Sequence, residues 1–169
     1  MELRYYPDRV LRKPCAPVRE VDDELAAKAQ RMLEFMYDAE GIGLAANQVG
    51  WSHRIVTLDV ELARQGTRIF INPRIVNREG HVELEEGCLS LPGVRLAVPR
   101  AEKVAVVAYT LEGERVETEA EGLEACAWQH ELDHLNGVLI IDKVPPTRLM
   151  AVRGQLKQLA EGLKSEGRR

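Results

Sequence analysis

Five residues constrain this chain more than any others: His130-Glu131-Leu132-Asp133-His134. Two histidines four apart on a helix lie one turn from each other on one face, so both imidazoles can reach a single metal ion. Glu131, beside the first, can handle a proton on a water at that ion. Metal-dependent hydrolases use this H-E-x-x-H pattern. The segment from Glu121 to Gln129 leads into it without a helix breaker, and Asn136-Gly137 supplies a stop. Leu123, Ala127, His130 and His134 share one stripe, while Trp128, Leu132 and Leu135 point elsewhere. A helix apolar on more than one side belongs in a core, where unpaired imidazoles are costly. Histidines hydrogen-bonded in a core, or set at its rim, are the competing explanation.

A catalytic site of the zinc type usually has three protein ligands and one open position. The residue six past His134 is Ile140, so no third histidine follows at that spacing. Glu161, 27 residues past His134, sits on what reads as a solvated helix face. The third ligand is therefore sought upstream. Cys88 lies in Glu85-Glu86-Gly87-Cys88-Leu89-Ser90-Leu91-Pro92-Gly93, which breaks the strand pattern and reads as a glycine-bounded loop. A thiolate from such a loop could complete a His/His/Cys site. Cys126 competes for the role, but ligands at 126, 130 and 134 form a row that converges poorly on a tetrahedral ion. Cys15, His53 and His81 stand in less constrained surroundings. Cys88 is the favoured ligand.

Length and composition narrow the class. A chain of 169 residues, 45% apolar and 30% charged, can bury one real core as a soluble globular protein. Its net charge of −4 argues against a broadly basic nucleic-acid binder. No stretch approaches the roughly 18 apolar residues of a membrane span, and Met1-Glu2-Leu3-Arg4-Tyr5 lacks a signal pattern. Three widely spaced cysteines suit a reducing compartment better than a disulfide framework. The expectation is one cytoplasmic domain over 1–169, without internal repeat or linker.

Residues 1–20, with Pro7, Pro14 and Pro17, read as an extended arm. Asp22 suits an N-cap for an amphipathic helix that carries Leu25, Ala29, Met32, Leu33 and Met36 and ends near Glu40-Gly41. From Gly41 to Gly50, small residues surround Asn47 and Gln48; they let a backbone or ligand come close, or form an ordinary tight turn. Strands are predicted over Arg54–Asp59 and Arg68–Asn72, with Pro73 limiting what pairs after it and Arg74 to Asn77 continuing as an edge. Val82 and Leu84 mark a short half-buried strand. Val104, Val106 and Ala108 mark another, whose partner, Arg115 to Glu119, follows a Glu112-Gly113 turn. After Pro145-Pro146, Leu149, Val152, Leu156, Leu159 and Leu163 form the seam of a last helix. Residues 143–169 hold seven Lys/Arg and two Glu, a local charge of +5 that suits a solvated face or a tail that touches RNA.

Three separated segments carry a resemblance. Gly41-Ile42-Gly43-Leu44-Ala45-Ala46-Asn47-Gln48, Glu86-Gly87-Cys88-Leu89-Ser90 and Gln129-His130-Glu131-Leu132-Asp133-His134-Leu135-Asn136-Gly137 are similar, in order and spacing, to the motifs of the peptide deformylases. Family members remove the N-formyl group from the initiator methionine of new polypeptides and release formate. The resemblance implies that Cys88, His130 and His134 hold one divalent ion, Fe²⁺ natively, with Zn²⁺, Ni²⁺ or Co²⁺ as substitutes. It implies that Gln48 and the backbone N–H of Leu89 face the developing oxyanion, and that Glu131 is base and then acid. Ile42, Gly43, Leu84, Leu123, Cys126 and Ala127 would line a methionine pocket, with Glu86 and Arg95 positioning the substrate or supporting the ligands. The implied partners are N-formyl-Met nascent peptides and, through the basic C-terminal helix and tail over 147–169, the ribosome. Neither a membrane nor a specific nucleic-acid sequence is implied. The implied fold is α+β, with mostly antiparallel β-sheets around a central metal-binding helix and with N-terminal and C-terminal helices. A metallopeptidase that cuts internal bonds with the same helix is the alternative. A closed structural zinc module would need a fourth ligand from Cys126 or His81.

Overall fold

The computed structural model describes residues 1–166, with side chains through residue 162. Its strands are Gly43–Ala45 (β1), Ile55–Leu58 (β2), Ile69–Glu79 (β3), Val82–Gly87 (β4), Arg95–Arg100 (β5), Lys103–Tyr109 (β6) and Arg115–Glu121 (β7). Its helices are Asp23–Asp38 (α1), Gly122–Leu135 (α2) and Pro146–Glu166 (α3). β1, β2, β3, β6 and β7 form one antiparallel sheet in that order, and β4 and β5 pair as a separate ribbon. The architecture is α+β.

At β2 the five-stranded sheet is covered on both faces, so all four residues of the strand, Thr57 included, are buried. Ile55 packs with Met32, Met36 and Ile71 beneath α1, while Val56 and Leu58 pack with Phe70, Val106 and Trp128 beneath α2. Trp128 meets Phe70 edge-on, with ring centroids 4.7 Å apart. α1 starts where the Asp22 carboxylate accepts the Leu25 N–H at 2.8 Å, a cap that contributes roughly 1 kcal/mol. α3 lies on the ribbon: Val152, Leu149, Leu156 and Leu159 pack with Leu96 and Val98 of β5. Arg148 donates to the Ala97 carbonyl and to both Glu83 oxygens. The side chain of Leu163 lies outside the described residues.

Several expectations change. The N-terminal arm contains a 3-10 turn at Arg9–Arg12. α1 stops at Asp38, two residues early. The small-residue stretch is not one turn but strand β1 followed by a 3-10 turn, Ala46–Val49. β3 runs through Pro73; register shifts between Ile71 and Arg74 absorb the missing donor, and Asn72 there has φ 51°. Glu85 to Gly87 belong to β4 rather than to a loop, and β5 is an unforeseen strand.

Candidate metal centre

α2 ends in a way that brings both histidines to one spot. The Val138 N–H donates to the Asp133 carbonyl and the Gly137 N–H to the His134 carbonyl, each at 2.9 Å. This is a Schellman stop, with Gly137 at φ 76°. A Cβ on Gly137 would stand 2.5 Å from the Arg12 carbonyl oxygen, so glycine is required there for space as well as conformation. Asn47 reinforces the end, its Nδ2 donating to the His134 carbonyl at 2.5 Å.

His130 Nε2 and His134 Nε2 lie 3.2 Å apart, and Cys88 Sγ lies 3.2 Å from His134 Nε2. All three atoms fall within 4.8 Å of one another. Cys88 reaches the spot because β4 ends at Gly87, beside α2. Cys126 is buried on the cavity side and is not one of the three converging residues. The donor set suits a cation. A sulfur and two imidazole nitrogens face each other at contact distance, and such lone pairs repel unless a proton or a metal stands between them. His130 is held well above its usual range: burial opposes its charge, but Cys88 and Glu86 outweigh burial. Burial, with His130 nearby, holds His134 well below its usual range, in the neutral form that ligates metals.

The other ring nitrogen of His130 is anchored. Its Nδ1 lies 2.9 Å from Glu86 Oε2, the carboxylate contact that turns Nε2 toward a metal. Glu86 in turn accepts from Arg100 at 2.7 and 2.9 Å, and Arg100 reaches Asp133 at 2.5 Å. Lys143 completes the group, 3.5 Å from Asp133. Burial raises the Glu86 carboxyl, but Arg100 and His130 overcome that and hold it below its usual range.

Glu131 has weaker support, a backbone hydrogen bond at Ala45 rather than hydrogen bonds from a cation. Burial pushes its carboxyl up to about 7, against the pull of His130, and its Oε2 has no hydrogen-bond partner among the described residues. Gly43 lies against it, and a Cβ there would stand 2.5 Å from Glu131 Oε1.

An open cavity of about 790 Å³ leads to Glu131 and His130. Ile42 and Gly43 line it from β1, Leu84 and Glu86 from β4, and Arg95 from β5. Leu123, Cys126 and Ala127 line it from α2; Leu123, 54% exposed, stands at the rim. Gln48 and Leu89 also face it, and Gln48 Nε2 lies 3.7 Å from Cys88 Sγ. All the residues expected at the pocket thus lie on one cavity. Sequence reasoning missed Arg100 and Asp133 behind the centre and Leu3, Tyr5 and Val94 on the cavity wall. Asp133 lies inside the histidine motif, a signal within reach; Arg100 offered none beyond a cation after Pro99.

No helix of the described residues is long and apolar enough to cross a membrane. A family model for polypeptide deformylase matches residues 1–149. A peptide deformylase of Alkalilimnicola ehrlichii is 46% identical over 162 residues, covering 94% of this chain and 90% of its own length. A crystal structure of a peptide deformylase from Legionella pneumophila matches with TM-score 0.89 at 41% identity, over 97% of this chain and 96% of that one. One from Plasmodium falciparum matches with TM-score 0.91 at 36% identity, over 97% and 98%. These matches lend the internal-bond peptidase no support. The chain belongs to the peptide deformylase family and is a hydrolase.

Proposed function

We propose that this protein, acting as one catalytic domain, removes the N-formyl group from the N-terminal methionine of newly made polypeptides and releases formate. The observation that carries the reading is the convergence of Cys88, His130 and His134 beside a buried Glu131, whose Oε2 has no hydrogen-bond partner among the described residues, at the base of one cavity. Those three residues would hold the metal; a thiolate with two imidazoles is a soft donor set that favours Fe²⁺ or Zn²⁺ over Mg²⁺. Fe²⁺ is the native ion on this reading, with Zn²⁺, Ni²⁺ or Co²⁺ able to replace it. When bound, a divalent ion supplies Lewis acidity and a water of lowered pKa.

The chain's own residues do the rest. Glu131, poised near neutrality, takes a proton from the attacking water at its carboxylate and returns it to the leaving amine. The Gln48 Nε2–H and the Leu89 N–H face the carbonyl oxygen as it gains charge, and each such donor contributes ~3 kcal/mol. Glu86 keeps His130 turned toward the metal. Ile42, Gly43, Leu84, Leu123, Cys126 and Ala127 receive the methionine side chain, and Arg95 at the rim meets the peptide beyond it. Since one methylene changes binding by only about 1–3 kcal/mol, preference should be graded across apolar first residues.

The test is a product assay on anaerobically purified protein loaded with Fe²⁺ or Ni²⁺. Formate is quantified while mass spectrometry follows a formyl-Met peptide. Loss of one formyl group with internal bonds intact is expected; cleaved internal bonds would overturn the reading. The reading places the protein in the cytoplasm. Ribosome contact through α3 belongs to it as well, and Arg153 is exposed there. Lys143, Arg148 and Lys157 are already paired within the chain. Co-sedimentation with ribosomes, equal with and without residues 147–169, would remove that contact.

A further inference from the structure

Gln48 and Leu89 come from different parts of the fold, the 3-10 turn after β1 and the loop after β4, and the two sheets share no strand. Three hydrogen bonds nevertheless join these parts. The Arg4 N–H donates to the Gln48 carbonyl at 2.7 Å, and the Tyr6 N–H donates to the Ser90 carbonyl at 2.9 Å. Gln48 Nε2 donates to Ser90 Oγ at 3.2 Å. The N-terminal arm thus crosses both segments and holds each by its backbone, while their side chains meet underneath.

Ser90 and Gln48 are 0% and 1% exposed, so water cannot replace that contact. The far side of the Gln48 amide is held too, since Oε1 accepts the Ala45 N–H at 2.8 Å. A side-chain amide has one oxygen and two N–H donors, and its last torsion is intrinsically broad. Here Ala45 takes the oxygen and Ser90 takes one N–H. The second N–H donates to Cys88 Sγ at 3.7 Å, a long contact to a weak acceptor on the side where the substrate carbonyl would stand. Ser90 itself is not on the cavity wall.

We propose that Ser90, clamped by the N-terminal arm at Arg4–Tyr6, is the positioning residue that aims the Gln48 amide at the reacting carbonyl. The proposal rests on the reading of Gln48 as an oxyanion donor. Ser90 acts only through Gln48, and the arm acts only by fixing the distance between the Gln48 turn and the Ser90 loop.

The experiment is steady-state kinetics on metal-loaded protein with a formyl-Met peptide, for S90A, Q48A, the double variant and R4P. R4P removes the Arg4 N–H and leaves both side chains in place. Metal content and thermal transition are recorded for each variant. S90A is expected to lower kcat about ten- to a hundredfold with KM unchanged, the scale of a misplaced group. In the Q48A background S90A should add no further loss, because a residue that acts through another is silent once that other is gone. R4P should show a smaller fall in kcat alone. Wild-type kcat in S90A and R4P would overturn the proposal, as would an equal S90A loss with and without Gln48. Should S90A fail to fold, R4P decides. An impaired Q48A beside a normal S90A would sink only this proposal; a Q48A with wild-type kcat would sink the oxyanion reading and the proposal with it.

Discussion

Glu86 and Glu131 are both buried, 9% and 4% exposed, and both lie beside His130, yet their surroundings differ in kind. Glu86 accepts from Arg100 through both oxygens and faces His130 Nδ1. Glu131 keeps an oxygen without a partner among the described residues. The first is held below its usual range, and the second is pushed up to about 7. Burial opposes charge in both, so neighbours decide the outcome. A group that must orient a ligand works best permanently ionised. A group that must carry a proton works best near neutrality.

The most severe test of this contrast is Glu131→Gln, which keeps the shape and removes the proton carrier. Formate release should fall about a thousandfold while metal content stays at the wild-type level. Activity within tenfold of wild type would place proton transfer elsewhere. Next comes Arg100→Leu, which strands Glu86 and Asp133 in the interior. Urea unfolding should report a loss of ~3–5 kcal/mol, the cost of removing one partner from a buried ion pair. A fully wild-type urea midpoint would show the network to be dispensable. Glu86→Gln should act on the ion rather than on the proton: chelator competition should show metal affinity roughly 10- to 100-fold weaker. If Glu131→Gln weakened metal binding more than Glu86→Gln did, the assigned division of labour would be reversed.

Asp59 offers the mildest comparison, a buried carboxylate distant in role from the site. It accepts from the Tyr37 hydroxyl at 2.7 Å, the Arg64 N–H at 2.9 Å and the Ala63 N–H at 3.2 Å, and Arg68 lies 3.2 Å away. Burial raises its carboxyl, and these contacts together bring it below the ordinary 3.8. Its stabilisation is therefore present above the unfolded value and is lost as pH falls through the lower folded one. Tyr37→Phe removes one donor and should cost ~1–2 kcal/mol, with acid unfolding shifted to higher pH in a circular-dichroism titration. An unmoved acid midpoint would mean that the remaining donors suffice.

What the sequence revealed, and what it hid, follows from how local each signal is. The histidine helix could be read because ligand spacing, apolar stripe and glycine stop all lie within one segment. Cys88 stood out because its short glycine-bounded stretch breaks the surrounding pattern. β5 was hidden by Arg100, a cation that reads as solvent-facing until Glu86 and Asp133 meet it from distant segments. β1 was hidden because all three of its residues are buried, so no alternation marks it. Ser90 was read only as part of a motif, and its partner Tyr6 lies 84 positions away in a segment without periodicity.

The ribbon β4–β5 has one more consequence. Its apolar side belongs to a cluster with Leu91, Val98 and Val152, whereas the histidine helix packs on the five-stranded sheet with Val56, Phe70 and Val106. Sulfur and imidazoles therefore sit on different sheets' territory, and the tie between ribbon and helix is ionic: Glu86 to His130, and Arg100 to Asp133. Cutting that tie would leave each side its own apolar cluster while freeing one from the other. A chain without those ion pairs is therefore expected to let go of an ion at a temperature where its helices and main sheet are still intact.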